Sequence, residues 1–474
     1  MRATASPGSR GHDSDCFRGL GGWGRAQPPT LRTIPKGTRD SCHAPGSRIG
    51  RGPSLDTDPP RPNHAAMTYG LWVLWCIWAL GSAGAALHCR KFLRHLRIPR
   101  QRWPEYQPDI TVIVPIRGVD GDLPECVRSL CTQQCPNYRL IFVFESADDP
   151  AAPIVQEHLA SHPDCPSETC IAGLAGPTVA QKVHNQLHVL RRLEPDASDD
   201  DVWVFADSDA VPGPAWLYEL VRPLAKSARG ASTGYRWLVP DEQSASPFWS
   251  RLTSVINSSI ACLYWRTRAV RAWGGSMAMR VGTARRGDLI RRLEGALSDD
   301  FTVSSMCRDL RLRIYFVPSC LVATEASYGL GSLVSFGRRQ YLATRVYAPG
   351  LYTLAVVVMT VWVAGFVSAW GSLVAALATG ASGWAPGIAV LVVAASNQAR
   401  AAYRVRVVRH AFGEEMVRRL GPTLWLDRWV TPVWMTVHWG LMVNAMWGRT
   451  VRWRGTRYRL FGAQRVERVE ERGG

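Results

Sequence analysis

DVWVFADSDA (residues 201–210) carries an unbroken apolar run from Val202 to Ala206, then turns at once to Asp207-Ser208-Asp209. A run this short, apolar on both side-chain registers, predicts a strand buried on both faces, the form strands take inside a parallel sheet. ITVIVPIRG (110–118) and YRLIFVFES (138–146) have the same character. Amphipathic stretches between and after them predict helices over 123–134, 150–161, 178–193 and 214–228. The alternation gives an α/β fold over 105–345, a mostly parallel sheet flanked by helices.

In open sheets of this kind ligands bind beyond the carboxyl ends of the strands, and acidic residues gather there. Glu145, Asp148 and Asp149 follow one strand, and Asp207 and Asp209 follow another. Such carboxylates hold a ribose or base edge, or grip Mg²⁺ or Mn²⁺ on a diphosphate; equally, they cap the next helix or close a turn. Further on, Asp299-Asp300 in ALSDDFTVSSMC (296–307) opens an amphipathic stretch. Aspartate there is a good helix cap, and a carboxylate at a helix start facing a pocket also suits a general base. GGSMAMR (274–280) admits close backbone approach to a ligand or a tight strand entry. FGRRQYLATRVY (336–347) gathers Arg338, Arg339 and Arg345 beside Gln340 and Tyr341. Those arginines read either as interfacial anchors or as a diphosphate clamp.

The 474 residues carry a formal net charge of +18, which calls for an anionic partner such as acidic lipid headgroups or a phosphorylated substrate. The basic runs border apolar segments and no nucleic-acid motif accompanies them, so no nucleic-acid partner is expected. The 12 cysteines lack paired CxxC spacing and read as reduced thiols. Residues 1–66, rich in Gly, Pro, Ser and Arg without apolar periodicity, predict a disordered leader, and Met67 is a plausible true start. TYGLWVLWCIWALGSAGAAL (68–87) is uncharged and long enough to span a bilayer, giving a transmembrane anchor over 67–88. Arg90, Lys91, Arg94 and Arg97 follow, and the positive-inside rule puts the α/β domain in the cytosol. Apolar blocks near 351–378 and 384–398 predict further membrane helices within 346–448, with a basic cytosolic loop at 400–424. The Trp-rich segment 429–447 either spans or lies at the interface, and a basic tail occupies 449–474. Many of the 20 tryptophans sit in these apolar segments, as in interfacial belts.

In this order the motifs resemble family 2 glycosyltransferases of the GT-A fold, most closely the ceramide glucosyltransferase group. The family's paired aspartates match Asp148 and Asp149 in FESADDPA (144–151), and its lysine–asparagine segment matches Lys182 and Asn185 in AQKVHNQL (180–187). Its D-x-D matches Asp207 and Asp209, and its acidic pair matches Asp299-Asp300 in SDDF (298–301). WRGTRYRL (453–460) resembles the group's basic-aromatic tail. Where the family ends on Gln or Arg, two residues, then Arg-Trp, this chain reads Gly337-Arg338-Arg339-Gln340-Tyr341, with Gln340 and Tyr341 in the acceptor-side pair.

The resemblance implies an inverting transfer of a hexose from a UDP-sugar to a hydroxyl of a membrane lipid. Asp148, Asp149 and Lys182 would hold the nucleotide, with Asp207 and Asp209 on Mg²⁺ or Mn²⁺. Asp300 would be the base beside Asp299, and Arg338, Arg339 and Arg345 would steady the departing phosphates. A processive polysaccharide synthase and a non-catalytic nucleotide-sugar-binding membrane protein are the competing readings. The transfer reading requires Asp149, Asp207 and Asp300 to converge on one cleft.

Overall fold

The computed structural model describes residues 64–98, 105–119, 122–265 and 270–469. The first 63 residues of the expected leader lie outside them, and α1 (His64–Leu96) is already helical three residues ahead of the expected anchor. The sheet domain follows as β1 (Ile110–Pro115), α2 (Leu123–Cys131), β2 (Tyr138–Phe144), α3 (Ala151–Ala160), β3 (Ser167–Ile171), α4 (Gln181–Leu193) and β4 (Val202–Ala206). After these come α5 (Trp216–Val221), β5 (Arg229–Pro240), α6 (Pro247–Ala261), β6 (Ser276–Arg280), α7 (Val281–Arg286), α8 (Leu289–Leu293), α9 (Asp299–Asp309), β7 (Arg313–Ala326) and α10 (Leu330–Tyr347). The rest is α11 (Pro349–Thr379), α12 (Trp384–Arg419), α13 (Gly421–Trp429), α14 (Thr431–Asn444), β8 (Thr450–Trp453), β9 (Thr456–Gly462) and β10 (Arg465–Val469).

Seven strands form one mixed sheet in the order β3-β2-β1-β4-β6-β5-β7. β1 and β4 are buried along their whole length, as unbroken apolar runs should be in a sheet covered on both sides. β1 pairs in parallel with β2 (Ile110 opposite Tyr138) and with β4 (Ile110 opposite Val202). The sheet is therefore mostly parallel, with one departure: β6 runs antiparallel to both β4 and β5. The chain builds outward from β1 to β2 and β3, then returns to place β4 on the other side of β1. That reversal opens a crevice at the carboxyl ends of β1 and β4.

β5 and β7, 12 and 14 residues long, were not anticipated as strands. Their register slips between Thr233 and Tyr235, and at Gly234 an added Cβ would lie 2.1 Å from the Cys320 carbonyl oxygen. Only glycine lets the two backbones approach there. Irregularity of this kind erases the period-two pattern by which a strand is read from sequence.

Among the described residues two helices are long and apolar enough to cross a membrane, Met67–Leu96 and Pro349–Thr379. The expected block at 384–398 is the first part of the 36-residue α12, which kinks at Gly413, and most of the Trp-rich segment 429–447 is α14. Trp75 and Trp78 of α1 pack with Trp362 and Ala369 of α11 and Ala389 and Val393 of α12. The basic segment expected as a tail is ordered: β8, β9 and β10 form a three-stranded antiparallel sheet. Val451, Tyr458, Leu460 and Val466 are its buried face, and the arginines between them point outward.

Candidate active site

The carboxyl ends of β1 and β4 face two adjoining hollows of about 160 and 100 Å³. Lys182, Asp207, Arg236, Arg339 and Trp453 line both. Lys182 stands in the first turn of α4, aimed between two elements that lie far apart in sequence. Its Nζ is 2.6 Å from Asp207 Oδ1 at the end of β4 and 3.0 Å from Asp299 Oδ2 at the start of α9. Gln186, one turn on, donates to the same Asp299 oxygen at 2.7 Å. Burial disfavours the Lys182 charge, yet Asp207 and Asp299 together hold its pKa above the ordinary range. Asp207 is displaced the other way: burial opposes its charge, but Lys182 keeps its carboxyl below the usual value.

Ser298 caps α9, and its hydroxyl donates to Asp300 Oδ1. The Phe301 amide donates to that oxygen at 2.6 Å, and the Gly274 amide lies 3.4 Å from Oδ2. Burial, and then the neighbouring Asp299 charge, push Asp300 up to about 6. Of the acidic pair, Asp299 is thus committed to Lys182 and Gln186, while Asp300 titrates near neutrality on the cleft wall. The glycines of GGSMAMR make room for this: a Cβ on Gly274 would meet Lys182 Nζ and Asp299 Oδ2 at 2.8 Å.

Sequence reasoning missed Arg236. It lies on β5, facing the cleft beside Arg339, and its pKa is raised, with burial opposing the charge and Tyr328 and Asp209 supporting it. Arg339 is lowered to about 10, by burial first and by Arg236 second. Nothing in the sequence marked it, because β5 was not expected as a strand. Also missed was the wall made by Trp453, Arg454 and Tyr458. The Tyr458 hydroxyl accepts from the Gln181 amide at 3.3 Å, pinning this sheet to the first turn of α4. Arg117 crosses the opening, 3.1 Å from Glu145 and donating to Thr456 at 3.1 Å.

Several expected site residues lie elsewhere. Both Asp149 oxygens accept from the Gly118 amide at 3.0 Å, and Oδ1 also accepts from Ala151 at 2.9 Å. Asp149 therefore braces the turn after β1 instead of lining a hollow, and Asp148 is exposed beside it. Asp207 and Asp300 share the cleft; Asp149 supports its edge. Arg338 donates to the carbonyls of Thr450, Asn444 and Trp447 at 3.0, 2.6 and 2.8 Å. Arg345 donates to those of Ala445, Met446 and Gly448. The C-terminus of α14 presents unsatisfied carbonyls, and these guanidiniums take them up, so a phosphate clamp of three arginines is not what α10 builds. Tyr341 is buried against α14 with its hydroxyl on His438 and lines neither hollow; Gln340 does line the cleft.

Among the described residues no three His, Cys, Asp or Glu side chains are grouped as a metal site. Asp207 and Asp209 nonetheless offer hard oxygen donors at the mouth of β4, and Lys182 occupies only Oδ1 of Asp207. That donor set suits Mg²⁺ or Mn²⁺ completed by ligand and water oxygens.

Curated relatives match short stretches. The chain is 32% identical over 79 residues to a ceramide glucosyltransferase of Candida albicans, 16% of this chain and 14% of that protein. It is 32% identical over 107 residues to ceramide glucosyltransferase 3 of Caenorhabditis elegans, 22% of this chain and 23% of that protein. The chain thus spans less than a quarter of the length of either relative. Among solved structures it is similar to a mannosyltransferase from Pyrobaculum calidifontis in complex with GDP-Man and Mn²⁺, at 17% identity and a TM-score of 0.39, covering 79% of this chain and 97% of that one. It is also similar to glucosyl-3-phosphoglycerate synthase from Mycobacterium tuberculosis in complex with Mn²⁺ and UDP-glucose, at 16% identity and a TM-score of 0.31, covering 50% of this chain and 77% of that one. The family that matches is numbered 21 where the motifs were compared with family 2, and it agrees with the ceramide glucosyltransferase likeness read from them. Glycosyl transferase family 21 matches residues 65–466, and the chain belongs to that family of glycosyltransferases.

Proposed function

We propose that this glycosyltransferase, on a sheet of GT-A type, moves a hexose from a UDP-sugar to a hydroxyl of a membrane lipid with inversion at the anomeric carbon. Ceramide, named by the curated relatives, is the leading acceptor. The observation that carries the reading is the meeting of Lys182, Asp207 and Asp299 in one buried cluster, with Asp300 beside it poised near neutrality.

The donor lies along the β1–β4 crevice, its diphosphate facing Arg236 and Arg339 and its nucleotide against the turn that Asp149 braces. Mg²⁺ or Mn²⁺, held by Asp207 and Asp209, would supply charge neutralisation on the diphosphate. The acceptor oxygen attacks the anomeric carbon from the face opposite the leaving group. As the new C–O bond forms, the bond to the β-phosphate oxygen breaks, UDP departs with the electron pair, and the hydroxyl proton passes to Asp300. Lys182 pairs with Asp299 at 3.0 Å, and the Asp299 charge, after burial, helps raise Asp300 to about 6, where it can accept a proton at physiological pH. Arg236 and Arg339 face the departing phosphates with charge already in place, so stabilisation needs no rearrangement.

A lipid acceptor is supported by where the cleft sits. Tyr347, in the last turn of α10, accepts from the amides of Leu297 and Ser298 at 3.0 and 3.3 Å, and α11 begins two residues later. The loop carrying the base is thereby tied to the helix that enters the bilayer. The basic residues Arg90, Lys91, Arg94 and Arg97 at the C-terminal end of α1 support a sheet domain on the cytoplasmic face.

The test is incubation of membranes containing the full chain with a panel of labelled nucleotide-sugars, followed by mass spectrometry of the lipid extract. A monoglycosylated lipid that disappears with Asp300→Asn is expected. Label found only in polymer, or lipid product undiminished in that variant, would refute the proposal.

A further inference from the structure

On the side of the β8–β10 sheet facing away from the cleft, an open hollow of about 790 Å³ is lined by Arg345, Arg449, Arg457 and Arg459, and among the described residues no carboxylate lines it. Arg452 and Arg457 lie directly opposite each other on β8 and β9, so the outward face of this sheet is rich in guanidinium. Glu467, opposite Arg459 on β10, offsets part of the charge on that face. A surface with this excess of guanidinium suits a bound anion.

Position indicates which anion. Arg345 is in the last turn of α10, just before α11 starts at Pro349. Met446, also on the hollow's wall, and the adjacent Trp447 are 47% and 66% exposed, apolar side chains beside a cluster of positive charge. Tyr352 of α11 donates to the Met442 carbonyl at 2.8 Å, fixing the end of α14 against the first turn of α11. Two residues further, Leu354 begins the exposed apolar face of α11. The arginine hollow, with Met446 on its wall and Trp447 adjacent, thus lies by the start of α11, and exposed aliphatic side chains follow along that helix. This is the sequence of environments from headgroup to hydrocarbon.

We propose that the hollow holds the phosphate of an anionic phospholipid from the bilayer that α11 enters, with Arg457 and Arg459 as its principal contacts and Trp447 beside the glycerol. The site lies outside the catalytic cleft and would hold the sheet domain down on acidic membrane. The proposal rests on the membrane placement of α11 but not on the transfer chemistry, so it is tested by binding.

Detergent-purified full chain is offered phosphatidylglycerol and phosphatidylcholine in equal amounts and examined by native mass spectrometry. The wild type should retain phosphatidylglycerol with roughly tenfold or greater preference, and the double variant Arg457→Gln/Arg459→Gln should lose most of that preference. Its glycosyl transfer in phosphatidylcholine nanodiscs should stay within about twofold, because neither side chain faces the cleft. Equal retention of the two lipids by the wild type, or undiminished preference in the double variant, overturns the proposal. Displacement of the lipid by equimolar inorganic phosphate or UDP also overturns it, showing a soluble phosphate site. Should the double variant fail to fold, the wild type alone decides: preference must fall as salt rises from about 50 to about 500 mM, and a salt-independent preference rules the arginines out.

Discussion

Between α4, β4 and α9, Lys182 lies 2.6 and 3.0 Å from Asp207 and Asp299; between α12 and α13, Arg400 and Arg404 share Asp427 Oδ1 at 2.5 and 2.6 Å. Both clusters are buried and ionic. In the second, the charges answer mainly one another: Arg400 also donates to the Asp427 carbonyl at 3.0 Å and to Thr431 at 3.2 Å, and both guanidiniums lie over the Trp434 ring, although Asp427 Oδ2 and Arg404 Nε have no hydrogen-bond partner among the described residues. The residues are 2–3% exposed. The first cluster has a remainder. Asp300 adds a carboxylate that burial and Asp299 bring to about 6, and a hollow opens onto it. A buried ion pair alone therefore does not mark an active site. A further group poised to change charge, with access from outside, does.

That contrast can be broken experimentally. Asp300→Asn should lower kcat by roughly 10²–10⁴-fold, the usual worth of a general base, with no loss of thermal stability. A variant that melts early but turns over normally would make the two clusters alike. Asp427→Asn should do the opposite: leaving two guanidiniums buried against a neutral side chain is expected to cost about 3–5 kcal/mol in denaturant unfolding. The folded fraction should keep its kcat within about twofold, and a selective loss of rate would assign the α12–α13 cluster a catalytic part.

A finer cut runs along α10. Arg339→Gln should raise KM for the nucleotide-sugar by about tenfold or more, as for one lost charge-assisted hydrogen bond. Arg338→Gln should leave KM alone and lower Tm, because its guanidinium serves carbonyls at and beyond the end of α14. Equal KM effects would mean that the turn, not the cleft, governs donor binding. The smallest expected effect is in the pH profile. Asp300 acts as a carboxylate, present above about 6 and protonated below, so kcat/KM should fall about tenfold for each pH unit below that point. A profile flat down to pH 5 would take the base role from Asp300.

The cleft's acids were legible because each sits at the end of a local pattern. Asp207 follows a five-residue apolar strand and Asp300 follows a serine cap, so short-range rules suffice. Lys182 was legible only through the family resemblance, since nothing in AQKVHNQL says what it faces. Arg236 was not legible: it reaches the cleft through an irregular long-range pairing of β5 with β7. Arg338 and Arg339, neighbours in sequence, part company on a helix because successive side chains point about 100° apart. Which of them would face the cleft depended on where α14 and β8 came to rest, more than a hundred residues on.

The wall made by Trp453, Arg454 and Tyr458 bears on biosynthesis. A nascent chain at the ribosome has Lys182, Asp207 and Asp300 in hand early, but nothing to close the side of the crevice next to α4. Residues 450–462 emerge only after α11 and α14, and β9 must then travel back to the start of α4. Completion of the cleft thus waits on the last strands, and a chain stalled before β9 would carry its acids exposed and inert.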